Sequence, residues 1–332
     1  MNISIIIVNW NSAVYTEACI ASLHAAIRKL TYEIVVVDNG STDDSVRKLE
    51  ARDDVIFVSS PSNLGFARAN NLGYEHSSGE VLLFLNPDTQ VIGTALETMH
   101  GALVSSERIG ITGCRLLNSD CSLQTSCVLP FPTILNQLTD VEALKIRFPK
   151  LFIWGISPLF TDKVQLAKVD AVSGACLMIR RSLFEAVDGF SGEYFMYCED
   201  VDLCRKVARV GYDTMYVSDA RVVHHGGQSS KKARESSFAD VVGHEAIRIF
   251  LAKWRGTLYA RLYTQSMFAA ALLRLALLGI VSMTRMSNEP SRTAASRRKW
   301  RGILSWSMGR EHWARELGRT SSPVTSSHPT TA

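Results

Sequence analysis

The sequence Val35-Val36-Val37-Asp38-Asn39-Gly40-Ser41-Thr42-Asp43 decides the fold. Three β-branched apolar residues form the end of a strand that has no polar face, which indicates burial on both sides of a sheet. The strand runs directly into a turn of small polar residues, and Asp38 lies at the junction. Ligands bind at the carboxyl ends of strands in open α/β sheets, so Asp38 is predicted to accept a hydrogen bond from a base or a ribose. An ordinary capping Asp explains this segment equally well when it is taken alone.

Apolar runs like the one before Asp38 recur along the chain, and stretches with helical spacing separate them. The runs are Ile3 to Val8, Glu33 to Val37, Val55 to Val58, Val81 to Leu85 and, later, Val172 to Ile179. Strands that alternate with helices predict an α/β fold in which a mostly parallel central sheet is flanked by helices. A further helix is predicted over Glu199 to Val210, and Cys121 to Lys168 has no clear period and is predicted to form long loops or a lid.

Length and composition limit the class of protein. A chain of 332 residues suits one large domain with an appendage, and 46% hydrophobic with 20% charged residues excludes disordered and fibrous classes. The seven Cys have no regular spacing, which favours reduced thiols over zinc ligands or disulfides. The N-terminal residues lack a basic segment followed by a long apolar stretch, so we expect a cytosolic location.

The charge of the chain is unevenly distributed. From Lys231 to the end there are 17 Lys and Arg against 6 Asp and Glu, a balance of +11, whereas the first 230 residues have a balance of −7. A basic end indicates an anionic partner, either a membrane or a nucleic acid.

An apolar stretch in this basic region favours the membrane. Leu258 to Met283 is rich in Leu, Ala, Phe and Met, but Arg261 and Arg274 interrupt it, and a spanning helix needs about 20 apolar residues in a row. We therefore predict a helix lying in the plane of the membrane, with both Arg side chains reaching the lipid headgroups. Trp300, Trp306 and Trp313 are expected at the same depth. The alternative is that the stretch packs on the catalytic domain as ordinary helices.

Two further polar segments follow the early strands. In Asn63 to Gly73, a Gly before a helix lets the backbone approach a ligand, and Arg68 in the first turn is placed to meet a phosphate, unless it is simply a solvated surface Arg. The segment is not G-x-G-x-x-G, so the fingerprint of a dehydrogenase is absent. Asn86-Pro87-Asp88 ends the strand Val81 to Leu85 and offers oxygen ligands for a divalent cation shared with phosphates, although it is also an ordinary turn.

Acidic and imidazole groups occur in the second half. Glu199 and Asp200 open a helix and suit a general base, while the helix dipole alone also favours carboxylates there. His224 and His225 precede two glycines and suit a metal ligand or a phosphate contact, with a structural role equally plausible.

The order of these segments is far more specific than any one of them. The segments NWN (9–11), VVVDNGSTD (35–43), NLGFARANN (63–71), LNPD (85–88), SGACLMIRR (173–181), YCEDVDLCRK (197–206) and VVHHGG (222–227) resemble glycosyltransferase family 2 with the GT-A fold. Within that family the chain is similar to bacterial rhamnosyltransferases, over roughly residues 3 to 255.

The resemblance implies a role for each matching position. Asp38 would hold the donor nucleotide, with Asn9 and Asn11 beside the base and ribose and Arg68 near the base or diphosphate. Asp88 would bind the divalent cation, Mg²⁺ or Mn²⁺, with His224 as a further ligand. Asn86, which stands where the family's metal motif carries Asp, would either contact ribose or bind the metal weakly. Of the acidic pair, Asp200 would be the catalytic base, next to Glu199.

The resemblance also implies an activity and a domain organisation. It implies inverting transfer of a sugar, with L-rhamnose from dTDP-L-rhamnose expected, onto a glycan or a polyprenyl-diphosphate-linked saccharide in bacterial cell-surface polysaccharide or cell-wall synthesis. Residues 1–255 would form the catalytic domain, with a nucleotide half to about 120 and an acceptor half after it. Residues 256–317 would form a membrane-associating helical extension on the inner face of the membrane, and residues 318–332 a disordered tail.

Other functions fit the same residues less well. A nucleotidyltransferase usually carries a Gly/Arg/Lys-rich loop after its first strand, and Ile7 to Ser12 has none. A non-catalytic nucleotide-sugar-binding protein would be expected to lose Asp88 or Asp200, and both are present. Nucleic acid is not expected as a partner. Donors such as UDP-galactofuranose, UDP-glucose or UDP-GlcNAc remain alternatives to dTDP-rhamnose.

Overall fold

The secondary structure alternates between strands and helices in the first half and is mostly helical near the end. The computed structural model of the chain describes residues 1–140, 142–160, 165–226, 237–283 and 290–317. The strands are β1 Ile3–Asn9, β2 Tyr32–Asn39, β3 Ile56–Ser60, β4 Val81–Leu85, β5 Thr89–Val91, β6 Ile109–Leu117, β7 Val128–Leu129, β8 Leu166–Val169, β9 Ala171–Val172, β10 Cys176–Arg180 and β11 Asp213–His224. The helices are α1 Ala13–Ala26, α2 Ser45–Glu50, α3 Phe66–Glu75, α4 Ala95–Val104, α5 Ile134–Leu138, α6 Glu142–Arg147, α7 Arg181–Ala186, α8 Glu199–Arg209, α9 Phe238–Arg255, α10 Thr257–Met283, α11 Pro290–Ser307 and α12 His312–Leu317. The predicted tail, 318–332, lies outside the described residues.

Nine strands of the described chain form one mixed sheet. The strand order is β3-β2-β1-β4-β10-β6-β11-β5, with β8 paired to β11 beside this path. The pairs β1–β2, β2–β3, β1–β4 and β6–β11 are parallel, and β10 runs antiparallel to both β4 and β6. Six strands therefore point the same way, with β5, β8 and β10 opposed. The predicted mostly parallel sheet is confirmed.

Both faces of the sheet are covered, which is why its strands read as continuous apolar runs. On β1, Ile5 and Ile7 join the core beneath α1 and α4, whereas Ile6 packs on the other face with Ala67 and Ala69 of α3. Every residue of β1 is buried. All seven Cys are free thiols, as the sequence predicted.

Two segments differ from the sequence prediction. The strand predicted over Val172 to Ile179 is interrupted, because residues 173–175 turn out of the sheet between β9 and β10. The Gly174 N–H in this turn bonds to a carboxylate of α8 instead of a neighbouring strand. The apolar residues on both sides of the turn conceal it in the sequence. The region predicted as long loops contains the short helices α5 and α6 and, among its described residues, three 3₁₀ turns, Thr125–Cys127, Phe152–Trp154 and Ser157–Phe160.

The C-terminal helices α9, α10 and α11 pack on one another and against the catalytic domain. Trp306 is almost fully buried, and its Nε1 donates to Glu245 at 2.8 Å. Trp300 is also buried, and Trp313 stacks on Phe238 with ring centroids 5.2 Å apart. The expectation that these Trp side chains sit in a membrane interface is wrong, because they fill the contacts between the helices.

Arg274 of α10 also differs from the prediction. One guanidinium nitrogen donates to the Leu138 carbonyl at 3.0 Å, and the group lies 4.2 Å from the centre of the Trp300 ring. Arg274 therefore faces the protein and not the lipid headgroups. Arg261, by contrast, is exposed and does not take part in the helix packing that holds Arg274.

The outer face of α10 is mostly apolar although it faces solvent, with Arg261 and Gln265 also exposed on it. Its inner face, with Ala260, Tyr263, Met267 and Ala271, is buried. We call the outer face the apolar stripe, and it comprises Leu258, Leu262, Phe268, Leu272, Leu273, Leu277 and Ile280, which are 37–69% exposed. Residues Thr257–Ile280 are long and apolar enough to cross a membrane, and 17% of that hydrophobic window is buried in the protein. An exposed apolar surface of this length is typical of a surface that binds another apolar phase.

Candidate active site

Asp38 lies at the carboxyl end of β2, within a network of short polar side chains. Its Oδ1 accepts from Asn9 Nδ2 at 2.8 Å and its Oδ2 accepts from the Ser41 N–H at 3.0 Å. The Oδ1 of Asn9 accepts in turn from the hydroxyls of Ser12 and Thr16 at 3.0 and 2.9 Å. Asn9 is fully buried and its amide is bonded within the protein, so its direct role is to orient Asp38.

Asn11 joins the loop after β1 to the turn after β2. It adopts a left-handed backbone with φ of 51°, a conformation that Asn tolerates better than most residues. Its Oδ1 accepts from the Thr42 N–H at 2.8 Å, and its own N–H donates to Ser41 Oγ at 2.9 Å. The two loops therefore form one unit, and Ser41, which sequence reasoning did not single out, is bonded to both of them.

Arg68 fixes the loop that leads into α8. Its Nε donates to the Gly192 carbonyl at 2.9 Å, and burial lowers the pKa of the guanidinium. Nearby, the Phe66 N–H donates to the Phe195 carbonyl at 2.7 Å. A Cβ at Gly65 would lie 2.4 Å from that same carbonyl oxygen, and its φ of +79° also requires Gly. The start of α3 is thus packed directly against the loop before the acidic pair.

Asp88 and His224 are brought together by the pairing of β5 with β11, in which His224 lies opposite Thr89. Asp88 is buried, and its Oδ1 lies 3.3 Å from His224 Nε2. Asn86 Nδ2 lies 3.3 Å from the same imidazole nitrogen, and Asn86 Oδ1 is buried without a hydrogen-bond partner in the described part of the chain. His225 is held beside them, since its N–H donates to the Asp88 carbonyl.

Gln124 orients the imidazole of His224. The Gln124 Nε2 donates to Asn118 Oδ1 and to the His224 carbonyl at 2.9 and 3.0 Å, so its Oε1 faces His224 Nδ1 at 2.8 Å. Because that oxygen can only accept, Nδ1 carries the proton and the lone pair of Nε2 points toward Asp88.

This arrangement fits a divalent cation. A carboxylate oxygen and an imidazole nitrogen 3.3 Å apart have the spacing of two neighbouring ligands that each lie about 2.1 Å from one ion. The unpaired Asn86 oxygen adds a third possible ligand. Among the described residues no group of three His, Cys, Asp or Glu side chains forms a complete metal cage. The cluster is therefore suited to a cation whose other ligands come from a bound molecule or from water.

Glu199 and Asp200 form the buried first turn of α8. Both oxygens of Asp200 accept backbone N–H groups, from Gly174 and from Val201, each at 2.8 Å. Burial raises the pKa of Asp200, and these two bonds oppose the rise. Burial and the neighbouring Asp200 raise the pKa of Glu199 much further, and Glu199 Oε2 has no partner among the described residues. The ionised form is therefore better stabilised on Asp200 than on Glu199.

The backbone before this pair is strained. Tyr197 and Cys198 both adopt left-handed conformations, with φ of 72° and 62°, which cost free energy for residues other than Gly. Hydrogen bonds from Phe66 and Arg68 to the carbonyls of Phe195 and Gly192 hold the loop that leads into this strained turn.

The turn at residues 173–175 joins the cation-binding cluster to the acidic pair. The Asn86 N–H donates to the Ala175 carbonyl at 3.0 Å, and the next residue back, Gly174, donates to Asp200. A Cβ at Gly174 would lie 3.3 Å from the Asp200 Cβ, so the turn and the helix are in close contact. The structure thus brings Asn86, Asp88, His224, Glu199 and Asp200 to one edge of the sheet. Asp38 lies at the carboxyl end of β2, in the other half of the same sheet.

Comparison with known proteins identifies the family of this chain. Residues 4–188, more than half of the chain, match the family described as glycosyl transferase family 2. The chain belongs to this family. The glycosyltransferase is 28% identical over 277 residues to the N-acetylglucosaminyl-diphospho-decaprenol L-rhamnosyltransferase of Mycobacterium tuberculosis, which covers 76% of this chain and 87% of that relative. It is 27% identical over 183 residues to the rhamnosyltransferase WbbL of Escherichia coli, which covers 52% of this chain and 66% of that relative.

Solved structures confirm the fold of the glycosyltransferase. The mannosyltransferase PcManGT of Pyrobaculum calidifontis, in complex with GDP-Man and Mn²⁺, aligns with a TM-score of 0.56 at 17% identity, over 93% of this chain and 86% of that one. GalNAc-T7 with UDP, GalNAc and Mn²⁺ aligns with a TM-score of 0.55 at 17% identity, over 76% of this chain and 51% of that one. The GT-A type of α/β fold that the sequence predicted is therefore confirmed.

A buried carboxylate of α8 ties the glycosyltransferase site to the C-terminal helices. Asp202 is fully buried and accepts from Trp254 Nε1 at 2.6 Å, Lys253 Nζ at 2.9 Å and Ser191 Oγ at 2.6 Å. Lys253 and Trp254 belong to the last turn of α9. Burial alone would lower the pKa of Lys253, but its bonds to Asp202 and Glu193 outweigh burial and raise it. The helix that carries Asp200 is thus fastened at its first turn to α9.

Proposed function

We propose that the protein is an inverting, metal-dependent glycosyltransferase that moves a sugar from a nucleotide diphosphate donor to an acceptor hydroxyl. The observation that supports this proposal is the link through residues 173–175, which joins Asp88 and His224, two side chains with the spacing of cation ligands, to the buried carboxyl group of Asp200. A cation held by Asp88 and His224 would suit the leaving diphosphate, and the Asp200 carboxyl group would suit the attacking hydroxyl.

The chemistry of transfer needs one base. The Asp200 carboxylate takes the proton of the acceptor hydroxyl as that oxygen bonds to the anomeric carbon and the bond to the diphosphate breaks. A single displacement of this kind inverts the anomeric configuration, and no second carboxylate is needed as a nucleophile. Burial and the neighbouring Asp200 raise the pKa of Glu199 well above its usual value, which disfavours a second negative charge beside Asp200. A Mg²⁺ or Mn²⁺ ion held by Asp88 and His224 would neutralise charge on the diphosphate when bound.

Donor binding is assigned to the half of the sheet that ends in Asp38. Asp38 and the loop that Asn9, Asn11 and Ser41 organise would face the base and ribose, with Asn86 near the ribose and Arg68 near the base or diphosphate. In the structure the Arg68 guanidinium is bonded to the Gly192 carbonyl, so it would reach the donor by exchanging this bond for one to the donor.

The proposed donor is dTDP-L-rhamnose, and the support is the similarity to two proteins named rhamnosyltransferases. Isothermal titration of the protein with dTDP-L-rhamnose, UDP-galactofuranose, UDP-glucose and UDP-GlcNAc, with Mn²⁺ present, tests it. We expect the lowest Kd for dTDP-L-rhamnose. A lower Kd for any of the UDP-sugars would refute the choice of donor and leave the glycosyltransferase assignment intact.

The proposed acceptor is a saccharide linked to a polyprenyl diphosphate, and the proposed location is the cytoplasmic face of the membrane. The relative with 87% coverage is named for a diphospho-decaprenol acceptor. The apolar stripe supports a helix that lies in the plane of the membrane, because only one side of α10 is exposed while the other packs against the protein. A spanning helix would need apolar contacts on all sides, and Arg274 would have to leave Leu138 and Trp300.

Substitution in the apolar stripe should release the protein from membranes. Leu272→Gln/Leu273→Gln replaces two leucines that are exposed in the structure. The double substitution should therefore weaken contact with lipid and leave the packing of the protein unchanged. We expect flotation with liposomes to fall at least about tenfold, because each buried leucine contributes roughly 1.5–3 kcal/mol.

The matched control is Val104→Gln/Val210→Gln, which removes two exposed valines of the catalytic domain. It should float as the unaltered protein does. Equal flotation of the two double variants would contradict membrane binding through the apolar stripe. Resistance of the unaltered protein to carbonate extraction would contradict the in-plane orientation.

The Gln124 side chain should control cation affinity without touching the cation. In Gln124→Leu the oxygen that orients His224 Nδ1 is lost, and we expect Mn²⁺ to bind about 10–100-fold more weakly, the usual effect of removing such a partner. Titration of Mn²⁺ into protein saturated with the nucleoside diphosphate measures it. Gln165→Leu, at an exposed position, is the control. An unchanged Mn²⁺ affinity in Gln124→Leu would rule out His224 as a ligand.

A further inference from the structure

A basic cavity lies among the C-terminal helices, outside the active site. It has a volume of about 530 Å³ and is lined chiefly by Ser237, Arg297, Arg298, Arg301, Ser305 and Glu311. Four of these residues belong to one face of α11, at the spacing that brings side chains into line along a helix. We call it the arginine pocket.

The charge of the arginine pocket favours an anion. Three guanidinium groups face one carboxylate, and that carboxylate, on Glu311, already accepts from Trp313 Nε1 at 2.5 Å. Arg298 and Arg301 are exposed to solvent. Guanidinium groups present paired N–H donors that match the oxygens of a phosphate, and the hydroxyls of Ser237 and Ser305 add two further donors.

The arginine pocket adjoins the apolar stripe. One nitrogen of Arg297 donates to the Leu278 carbonyl at 2.9 Å, which fixes this wall of the pocket against the last turns of α10. Leu277 and Ile280, on those same turns, are exposed. A molecule with a phosphate in the pocket could therefore lay a hydrocarbon chain along α10. Membrane lipids have this combination of a phosphate group and a long apolar chain.

We propose that the arginine pocket binds the phosphate group of a membrane lipid. The proposal rests on the membrane location given above and adds a specific anion site to it. Two lipids share the chemistry: an anionic phospholipid, through its headgroup, and the lipid-linked acceptor, through its diphosphate. Lys299 pairs with Asp240 at 3.5 Å and does not line the pocket, so the cationic groups among the described lining residues are the three arginines.

The test compares two full-length variants that lose the same charge. Arg298→Gln/Arg301→Gln removes two arginines of the pocket, and Arg310→Gln/Arg315→Gln removes two exposed arginines outside it. Flotation with vesicles of phosphatidylcholine alone, or with about one third phosphatidylglycerol, tests the phospholipid. The KM for the polyprenyl-diphosphate acceptor, in detergent free of phospholipid, tests the acceptor.

For the pocket variant we expect either flotation about tenfold weaker or an acceptor KM about tenfold higher, the size of effect that two basic residues near a lipid phosphate should have. The control variant should change much less in both measurements. Loss of flotation on anionic vesicles alone identifies the phospholipid. A raised acceptor KM alone identifies the diphosphate. Equal behaviour of the two variants in both measurements overturns the proposal.

Failure of the membrane assignment would look different. If the unaltered protein floats with neither vesicle and uses no lipid-linked acceptor, the thermal shift caused by inorganic pyrophosphate in metal-free buffer tests the arginine pocket alone. The shift should persist in Arg310→Gln/Arg315→Gln and shrink in Arg298→Gln/Arg301→Gln. The same shift in both variants would overturn the anion site.

Discussion

Asp200→Asn is expected to lower kcat by about 10²–10⁴-fold, the usual effect of removing a general base, while the Kd for the donor stays nearly constant. Asn has the shape of Asp and can still accept one of the N–H bonds from Gly174 and Val201, but it cannot take the acceptor proton. Single-turnover transfer, with donor binding followed by titration, measures both quantities. An Asn variant that turns over normally would remove Asp200 from the mechanism.

Glu199→Gln is the matched control at the adjacent position. Because burial and the neighbouring Asp200 raise the pKa of the Glu199 carboxyl and so favour its neutral form, Gln is a neutral replacement of the same shape. We expect kcat to fall by less than about tenfold, well below the loss for a general base. The reverse order of the two losses would assign the base to Glu199.

The same pair sets the pH dependence of transfer. Burial raises the pKa of Asp200, and the base acts only when it is deprotonated, so the rate should rise with pH through a value above that of an ordinary aspartate. Asp200→Asn should remove this acid limb from any residual activity.

Asp88→Ala is expected to lower kcat/KM by about a hundredfold or more, since a cation that neutralises a leaving diphosphate contributes several kcal/mol to the transition state. The buried carboxylate would be lost from its place beside His224, with only the imidazole and Asn86 remaining. Residual activity should no longer respond to Mn²⁺ or Mg²⁺. Initial rates over a titration of each ion provide the measurement.

His224→Ala is expected to give a milder form of the same defect, because the carboxylate ligand remains. Its effect on metal affinity should resemble that of Gln124→Leu, which acts through the same imidazole. Metal titration curves that are unchanged in Asp88→Ala would refute the cation site itself.

Strand ends were the most predictable part of this molecule. Asp38, Asp88 and His224 each follow an apolar run, and a parallel sheet necessarily gathers the carboxyl ends of its strands at one edge. The start of α8 was equally clear, because Glu199 and Asp200 precede a helical pattern. These residues could be located from local sequence alone.

The residues that orient the site could not be located in that way. Gln124 lies in a segment without periodicity and reaches His224 across 100 positions, and Gly174 is concealed within an apolar run. Ser41 is one of several small polar residues in its turn, and only the folded contacts distinguish it. The prediction for the Trp residues of α11 was wrong for a related reason. Aromatic residues near basic residues form the same sequence pattern in a helix bundle as at a lipid surface, and only the structure shows that these side chains are buried.

The bonds between Asp202 and the end of α9 make α9 inseparable from α8, the helix that carries Asp200. Cutting the protein before α9 would leave the Asp202 carboxylate buried without its cation. A shortened version, made to gain solubility, would lose activity even toward a water-soluble acceptor. The same bond means that a hybrid enzyme should exchange α8 and α9 together. Heating should accordingly melt both parts in one cooperative transition.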